Sequence, residues 1–186
     1  FSGDVRVSRA DQTLTSEAIR FDSATDRVLA ETGARLRDSG LLIDAASVDY
    51  SLSREQGRFT GVSEYRIAAG HFQGSAETVV REGPDISRYQ QLTLSTCLPG
   101  EEFWVLRASR AQLNNQTRQG RAWNAVVAVK DVPILYTPFV QFPIGDERMS
   151  GFLAPTIGVS DANGTTVSLP WYWNIAPNYD ATITPT

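Results

Sequence analysis

The 186-residue chain holds one histidine, His71, and one cysteine, Cys97. No triad partner motif accompanies the histidine. The sequence has no HExxH pair, no glycine-rich phosphate loop and no Cys/His cluster. His71 reads as a polar residue at a strand edge; catalysis, a metal and a cofactor all lack support. The adjacent carboxylates Asp146 and Glu147 stand beside Arg148, and a solvated turn with a local ion pair is the default reading. A carbohydrate-active enzyme stays open as a separate class, because glycosidase acid pairs are assembled from distant strands and leave little trace in sequence. Cys97 has two readings: a buried free thiol, or half of a disulfide whose partner lies outside these residues.

Binding has more support. A β-strand sends alternate side chains to opposite faces, and several segments place bulky apolar groups on one face. These are Ile19 with Phe21, Val48 with Tyr50, Phe72 with Gly74 and Ala76, Leu92 with Leu94, and Trp104 with Leu106. Large and small residues mixed on one face suit either a filled sandwich core or a core opened between two sheets. An opened core would take acyl chains, since each buried methylene contributes roughly 0.8 kcal/mol.

The elements that carry these residues read as all-β. Short alternating segments recur at 5–7, 18–21, 28–30, 34–36, 41–43, 45–50, 58–62, 72–80, 89–96, 103–108 and 123–129. Turn residues separate them, among them Asp38-Ser39-Gly40, Glu82-Gly83-Pro84-Asp85 and Asn114-Asn115. Residues 14–37 carry enough Ala, Glu, Leu and Arg to suggest a helix, but Asp22-Ser23 and Gly33 interrupt it and Val28-Leu29-Ala30 suits a strand. Pro133, Pro138 and Pro143 then recur every five residues. Proline fixes φ and removes a ladder donor, so 131–150 reads as an extended linker after a body spanning 1–130. Beyond it, alternating segments flank the turn signal Asn163-Gly164. Trp171-Tyr172-Trp173 follows, and 178–184 starts a third segment, in the manner of the opening strands of a larger β-structure.

Composition bounds the partners. Hydrophobic residues make up 41% of the chain, enough for a packed core, and the net charge is −4 with no basic stripe, which argues against nucleic acid. Phe1-Ser2-Gly3 does not read as a secretory leader. No run of 18 apolar residues is long enough for a membrane helix, a test that alternating barrel strands would not register.

One resemblance covers essentially the whole chain. Its carriers are Gly3-Asp4-Val5, Thr96-Cys97-Leu98-Pro99-Gly100, Trp104, Val132-Pro133-Ile134-Leu135-Tyr136, Pro138, Phe142-Pro143-Ile144, Arg148, Ser150-Gly151-Phe152-Leu153 and the run from Leu169 through Thr182. This pattern resembles the lipopolysaccharide-assembly outer-membrane protein family LptD, the organic-solvent-tolerance family. The resemblance implies a periplasmic β-jellyroll over 1–130, the Pro-rich linker 131–150, and the first strands of a transmembrane β-barrel over 151–186. It implies a lipid trough lined by Ile19, Phe21, Val48, Tyr50, Phe72, Leu92, Leu94, Trp104 and Leu106, taking the acyl chains of lipopolysaccharide. The edge strand with Val5, Arg6 and Val7 would pair with the bridge protein LptA, and LptE would plug the barrel, mostly beyond these residues. Pro155 and Pro170 would weaken the first barrel strands beside a lateral gate, and Cys97 would form a disulfide with a residue outside the chain. The implied location is the outer membrane, with the N-terminal body in the periplasm. The rival reading is a soluble periplasmic β-sandwich that binds glycan or lipid, with 151–186 completing the sandwich.

Overall fold

The computed structural model describes residues 2–68, 71–98, 102–144, 150–153, 156–160, 164–168, 170–176 and 178–184. The described residues form strands and turns without an α-helix. In order the strands are β1 (Ser2–Arg9), β2 (Gln12–Ala18), β3 (Arg20–Asp22), β4 (Arg27–Ala30), β5 (Ala34–Asp38) and β6 (Leu41–Ser51). Then come β7 (Gln56–Ile67), β8 (Phe72–Glu82), β9 (Ile86–Leu94), β10 (Trp104–Asn114), β11 (Gln119–Val129) and β12 (Val132–Pro143). The first twelve make one antiparallel sheet in the order β1-β2-β5-β6-β7-β8-β9-β10-β11-β12, with β3 and β4 attached through β4 to β6. Almost every connection is a hairpin between sequence neighbours, so the long meander must bend over to bury its apolar face.

The period-2 pattern fixes which face that is. In β2, Leu14 and Ser16 alternate with half-buried threonines; in β5, Ala34 and Leu36 are buried between exposed arginines. Folding over brings distant strands together. The rings of Tyr65 on β7 and Tyr89 on β9 lie 5.0 Å apart, and those of Phe72 on β8 and Phe142 on β12 lie 6.0 Å apart. One hydrophobic cluster runs from Leu14 to Ile144, with Tyr50, Phe59, Tyr65 and Tyr89 as its largest buried side chains. This arrangement is all-β and consistent with a β-jellyroll. The helix-like composition of 14–37 yields to burial, as that stretch contributes β2 to β5.

Three sequence expectations need correction. Val132–Pro143 is not a linker but a full strand, paired along its length with β11. Its prolines are tolerated because β12 is an edge, where one side of the ladder needs no donor; Pro133 also sits at a register shift. What read as a domain boundary at 130 is a two-residue hairpin turn. Lys130 and Asp131 take φ of 46° and 63°, the left-handed pair that a type I′ turn requires. The Lys130 amide donates to the Phe103 carbonyl at 3.0 Å, and Asp131 pairs with Arg107 at 2.9 Å. Second, 18–21 is not one strand: β2 ends at Ala18 and β3 starts at Arg20, which resets the alternation. Third, 41–43 and 45–50 are one strand, β6, interrupted by a register shift at Asp44/Ala45.

After the sheet come β13 (Gly151–Phe152), β14 (Thr156–Ser160), β15 (Gly164–Ser168), β16 (Trp171–Ala176) and β17 (Tyr179–Ile183). β14 pairs with β15, with Gly164, expected in a turn, as the first residue of β15 opposite Ser160 and Asn163 outside the described residues; β13, β16 and β17 form a three-stranded sheet. The Ser150 hydroxyl accepts from the Asn174 amide at 2.9 Å, joining β16 to the residue before β13.

Candidate functional site

The large sheet does not close on itself. Among the described residues, β1 and β12 are its two ends, each hydrogen-bonded on one side only. Their inward residues are apolar and only half buried: Val5 and Val7 on β1, Val140 and Phe142 on β12, all packed against the core cluster. Small residues on β11 make room for the β12 lip. Val140 lies opposite Ala122 and Phe142 opposite Gly120, where a Cβ would run into the Phe142 ring. The ring reaches over Gly120 to meet Phe72. The result is an apolar interior flanked by two apolar lips.

The residues expected to line a trough distribute unevenly along this interior. Ile19, Val48, Tyr50, Leu92, Leu94 and Leu106 are buried in the cluster, while Phe72 and Trp104 pack against it from half-buried positions. Tyr50 is 0% exposed, so these residues form a floor rather than a rim. Phe21 is excluded. It is 43% exposed, and all three residues of β3 face solvent. Ile19 falls between two strands, so the two never share a face. The lip residues Val140 and Phe142 escaped sequence reading because proline obscured their strand. The signal that could have found them is the pair of small residues opposite them, Gly120 and Ala122.

An apolar cleft of about 560 Å³ opens beside Phe72, lined by Leu41, Leu42, Ile67 and Leu98. It also borders Cys97, a half-buried free thiol. Burial pushes that thiol up, but hydrogen bonding from Ser95 and from the Trp104 and Phe103 backbone outweighs burial and holds it below its usual value. The Cys97 carbonyl accepts from the Gln73 side chain.

The turn end of the sheet is polar. Arg81 on β8 is 5% exposed, and its guanidinium donates to Asp38 at 2.8 Å, to the Tyr50 hydroxyl at 3.2 Å and to Glu55 at 3.4 Å. Asp38 belongs to β5, so this pair ties together strands three places apart in the sheet order. Burial pushes the Tyr50 phenol up to about 12, and Tyr89 likewise to about 12. Both stay neutral at physiological pH. No group of metal-ligating side chains occurs among the described residues, and His71 stands in the β7–β8 connection.

The remaining candidates lie at the two ends of the chain. On β1, Arg6 is exposed between half-buried Val5 and Val7, and the edge beyond it is unpaired among the described strands. On β16, Trp171, Trp173 and Ile175 share one face, with Ile183 opposite Trp171 on β17; Trp173, Ile175 and Ile183 are 51–56% exposed. The other face is polar, with Tyr172 donating to Asp180 at 2.9 Å and Asn174 beside them. Pro170 precedes β16 rather than lying within a strand, and its carbonyl accepts from Leu153 at 2.8 Å. Pro155, Asp146, Glu147 and Arg148 lie outside the described residues.

Comparison with known proteins decides the family. A family model described as LptD protein matches residues 122–186. Over 185 residues the chain is 38% identical to LPS-assembly protein LptD of Alkalilimnicola ehrlichii, covering 100% of this chain and 24% of that protein. The chain belongs to the LptD family. It is 35% identical to the Nitrosomonas europaea LptD over 183 residues, 98% of this chain and 25% of the relative. It is 36% identical to the Pseudomonas savastanoi pv. phaseolicola LptD over 184 residues, 99% of this chain and 20% of the relative. The chain thus spans about a quarter or less of the length of these LptD relatives.

Proposed function

We propose that this chain receives lipopolysaccharide in the β-jellyroll and guides its acyl chains along the apolar seam toward a membrane barrel that starts at β13. It acts as a transport module and not as an enzyme. The observation that carries this reading is the open sheet with apolar lips, Val5 and Val7 on one side and Val140 and Phe142 on the other. A closed sandwich would bury those residues against each other. An open one lets an acyl chain cover them, and each methylene transferred from water is worth roughly 0.8 kcal/mol.

The ends of the chain take the flanking roles. The free edge of β1, with Val5, Arg6 and Val7, accepts a strand from LptA by β-augmentation. The face of Trp171, Trp173, Ile175 and Ile183 meets lipid, and the face of Tyr172, Asn174 and Asp180 looks into the barrel lumen, the alternation of outer-membrane strands. Pro155 and Pro170 loosen the first strands near the lateral gate, and LptE occupies the lumen. Cys97 pairs with a cysteine beyond these residues. The exposed apolar face of β16 and β17 weighs against the soluble-module reading, since a completed sandwich would turn it inward.

Aspartate substitutions at Val140 and at Phe142 in the full-length protein test the proposal, with Gln141→Asp on the opposite face as the control. Surface lipopolysaccharide is expected to fall in the first two and not in the third, at equal protein levels in the outer membrane. Normal export with a charged lip would refute the acyl path.

A further inference from the structure

The outer face of the large sheet changes character along the chain. Over the earlier strands, exposed arginines are matched with carboxylates: Arg27 with Asp49, Arg35 with Asp44 and Arg88 with Glu82. The last three strands break that balance. Between Trp104 and Pro143 the chain holds five cations and one carboxylate, Asp131, although its net charge is −4. These cations form no run in sequence; the antiparallel ladder gathers them.

Two ladder rows cross β10, β11 and β12 on this face. Arg107 lies opposite Val126, which lies opposite Tyr136; Arg110 lies opposite Trp123, which lies opposite Phe139. Leu106 and Ala108 flank Arg107 and are buried, so Arg107 points away from the core. Each row runs from a cation through an apolar group to an aromatic ring. Arg110 stands over the Trp123 ring at 5.9 Å, and the Trp123 and Phe139 rings lie 5.6 Å apart. The Tyr136 hydroxyl donates to Asn124 at 3.2 Å. Tyr136 and Phe139 are still 61% and 47% exposed, and Val132 and Ile134 extend the exposed apolar surface along β12. Arg121, two residues before Trp123 on β11, is exposed as well.

An exposed apolar surface of this kind marks a contact, and the cations select its chemistry. Tryptophan and tyrosine rings settle at the headgroup level of a bilayer, and arginines beside them are drawn to anionic headgroups. β12 is also the strand from which the chain runs on to β13. We propose that the outer face of β10–β12 docks on an anionic phospholipid surface and holds the sheet against the membrane. The inference rests on the reading of β13 onward as barrel strands. It adds a lipid contact on the face opposite the acyl path, with a phospholipid of the bilayer as ligand.

The test uses growing cells that carry the full-length protein with a photoreactive residue at Tyr136 or at Phe139. Arg58, exposed on β7, is the control position. After irradiation the outer-membrane fraction is collected, and mass spectrometry identifies the captured molecule. A phospholipid adduct is expected at 136 and 139 and none at 58. Arg110→Gln combined with Arg121→Gln should lower the yield at 136 by up to about thirtyfold, the worth of two cations near an anionic surface. Arg110→Lys combined with Arg121→Lys should keep it. Capture of a protein or of lipopolysaccharide in place of phospholipid would overturn the docking surface, as would a yield untouched by the glutamine pair. No adduct at 136 or 139 in protein recovered from the outer membrane would overturn it too, and would leave the barrel reading standing. Absence of the unmodified parent protein from that fraction would overturn both.

Discussion

Removing the Arg81 side chain should be among the most damaging single changes in this fold. The guanidinium is almost fully buried and satisfies Asp38, the Tyr50 hydroxyl and Glu55. Arg81→Met keeps most of the volume and deletes the charge. Asp38, whose side chain is 13% exposed, then keeps the Ser39 amide at 2.7 Å and the long Gln12 contact at 3.4 Å, but no cation. Breaking a buried pair in this way costs about 3–5 kcal/mol. Glu55 is 34% exposed and can turn to water, so the lower end, about 3 kcal/mol, is the expected value. For a domain of this size that corresponds to a melting point lower by roughly 6–12 °C. The partner variant Asp38→Leu should cost a similar amount, because it leaves the buried arginine only the longer Glu55 contact at 3.4 Å and the Tyr50 hydroxyl at 3.2 Å. The double variant should cost at least about 2 kcal/mol less than the sum of the two, since it leaves no buried charge unpaired. Urea unfolding of the four proteins gives all three numbers. An Arg81→Met cost below about 1 kcal/mol, or strict additivity, would show that the pair does not clamp the sheet.

Stability should fall at both extremes of pH. Asp22 is held below the usual aspartate value of 3.8 by the Thr25 hydroxyl and the Ala24 amide, and Asp26 by the side chain and backbone of Ser53, with Arg9 adding to it. Their folded values are depressed, so their contribution is complete above 3.8 and drains away as the pH falls through the lowered values; Asp26→Asn should flatten the acid limb of an unfolding-midpoint titration. Tyr50 and Tyr89 have raised values, so their stabilisation is intact below the usual 10.0 and is lost as the pH climbs toward about 12, a limb that Tyr50→Phe should shorten. On the proposed reading of β16 as a membrane strand, Trp173→Arg should cost about 2–4 kcal/mol if the residue lies near the bilayer midplane, whereas Asn174→Arg on the opposite face should cost far less; equal outer-membrane yields of the two variants would contradict the proposed faces. Replacing Pro155 and Pro170 together with alanine should stiffen the first strands and lower surface lipopolysaccharide, and an unchanged amount would remove the prolines from the gate.

Much of the fold can be read from alternation alone, because a half-buried strand must place its apolar residues at every second position. That holds for β5, where Ala34 and Leu36 are buried between arginines, and for β16, where Trp171 and Trp173 share a face. Alternation fails where the chain breaks register. A period-2 count puts Phe21 on one face with Ile19 because it does not detect the end of β2 at Ala18, and the fold leaves Phe21 in solvent. Propensity fails at β12. Proline argues against a strand only where both sides of the ladder need donors, and an edge position is a tertiary fact. Lys130-Asp131 has no glycine to advertise a tight turn, yet backbone and ion-pair contacts hold both residues at positive φ. The polar cluster around Arg81 was illegible for another reason. Its members come from β2, β5, β6, the β6–β7 turn and β8, and only the folding-over of the meander brings them together.

The central claim is that acyl chains ride on the inner face of the seam, and two neighbouring residues of β12 separate the possibilities. Phe142 points inward over Gly120, whereas Gln141 bonds across to the Gln119 side chain at 3.0 Å on the opposite face. With a photoreactive residue at each position in the full-length protein, irradiation of growing cells should yield a lipopolysaccharide adduct at position 142 and none at 141. An adduct at 141 alone, or none at 142 with normal protein levels in the outer membrane, would contradict the account.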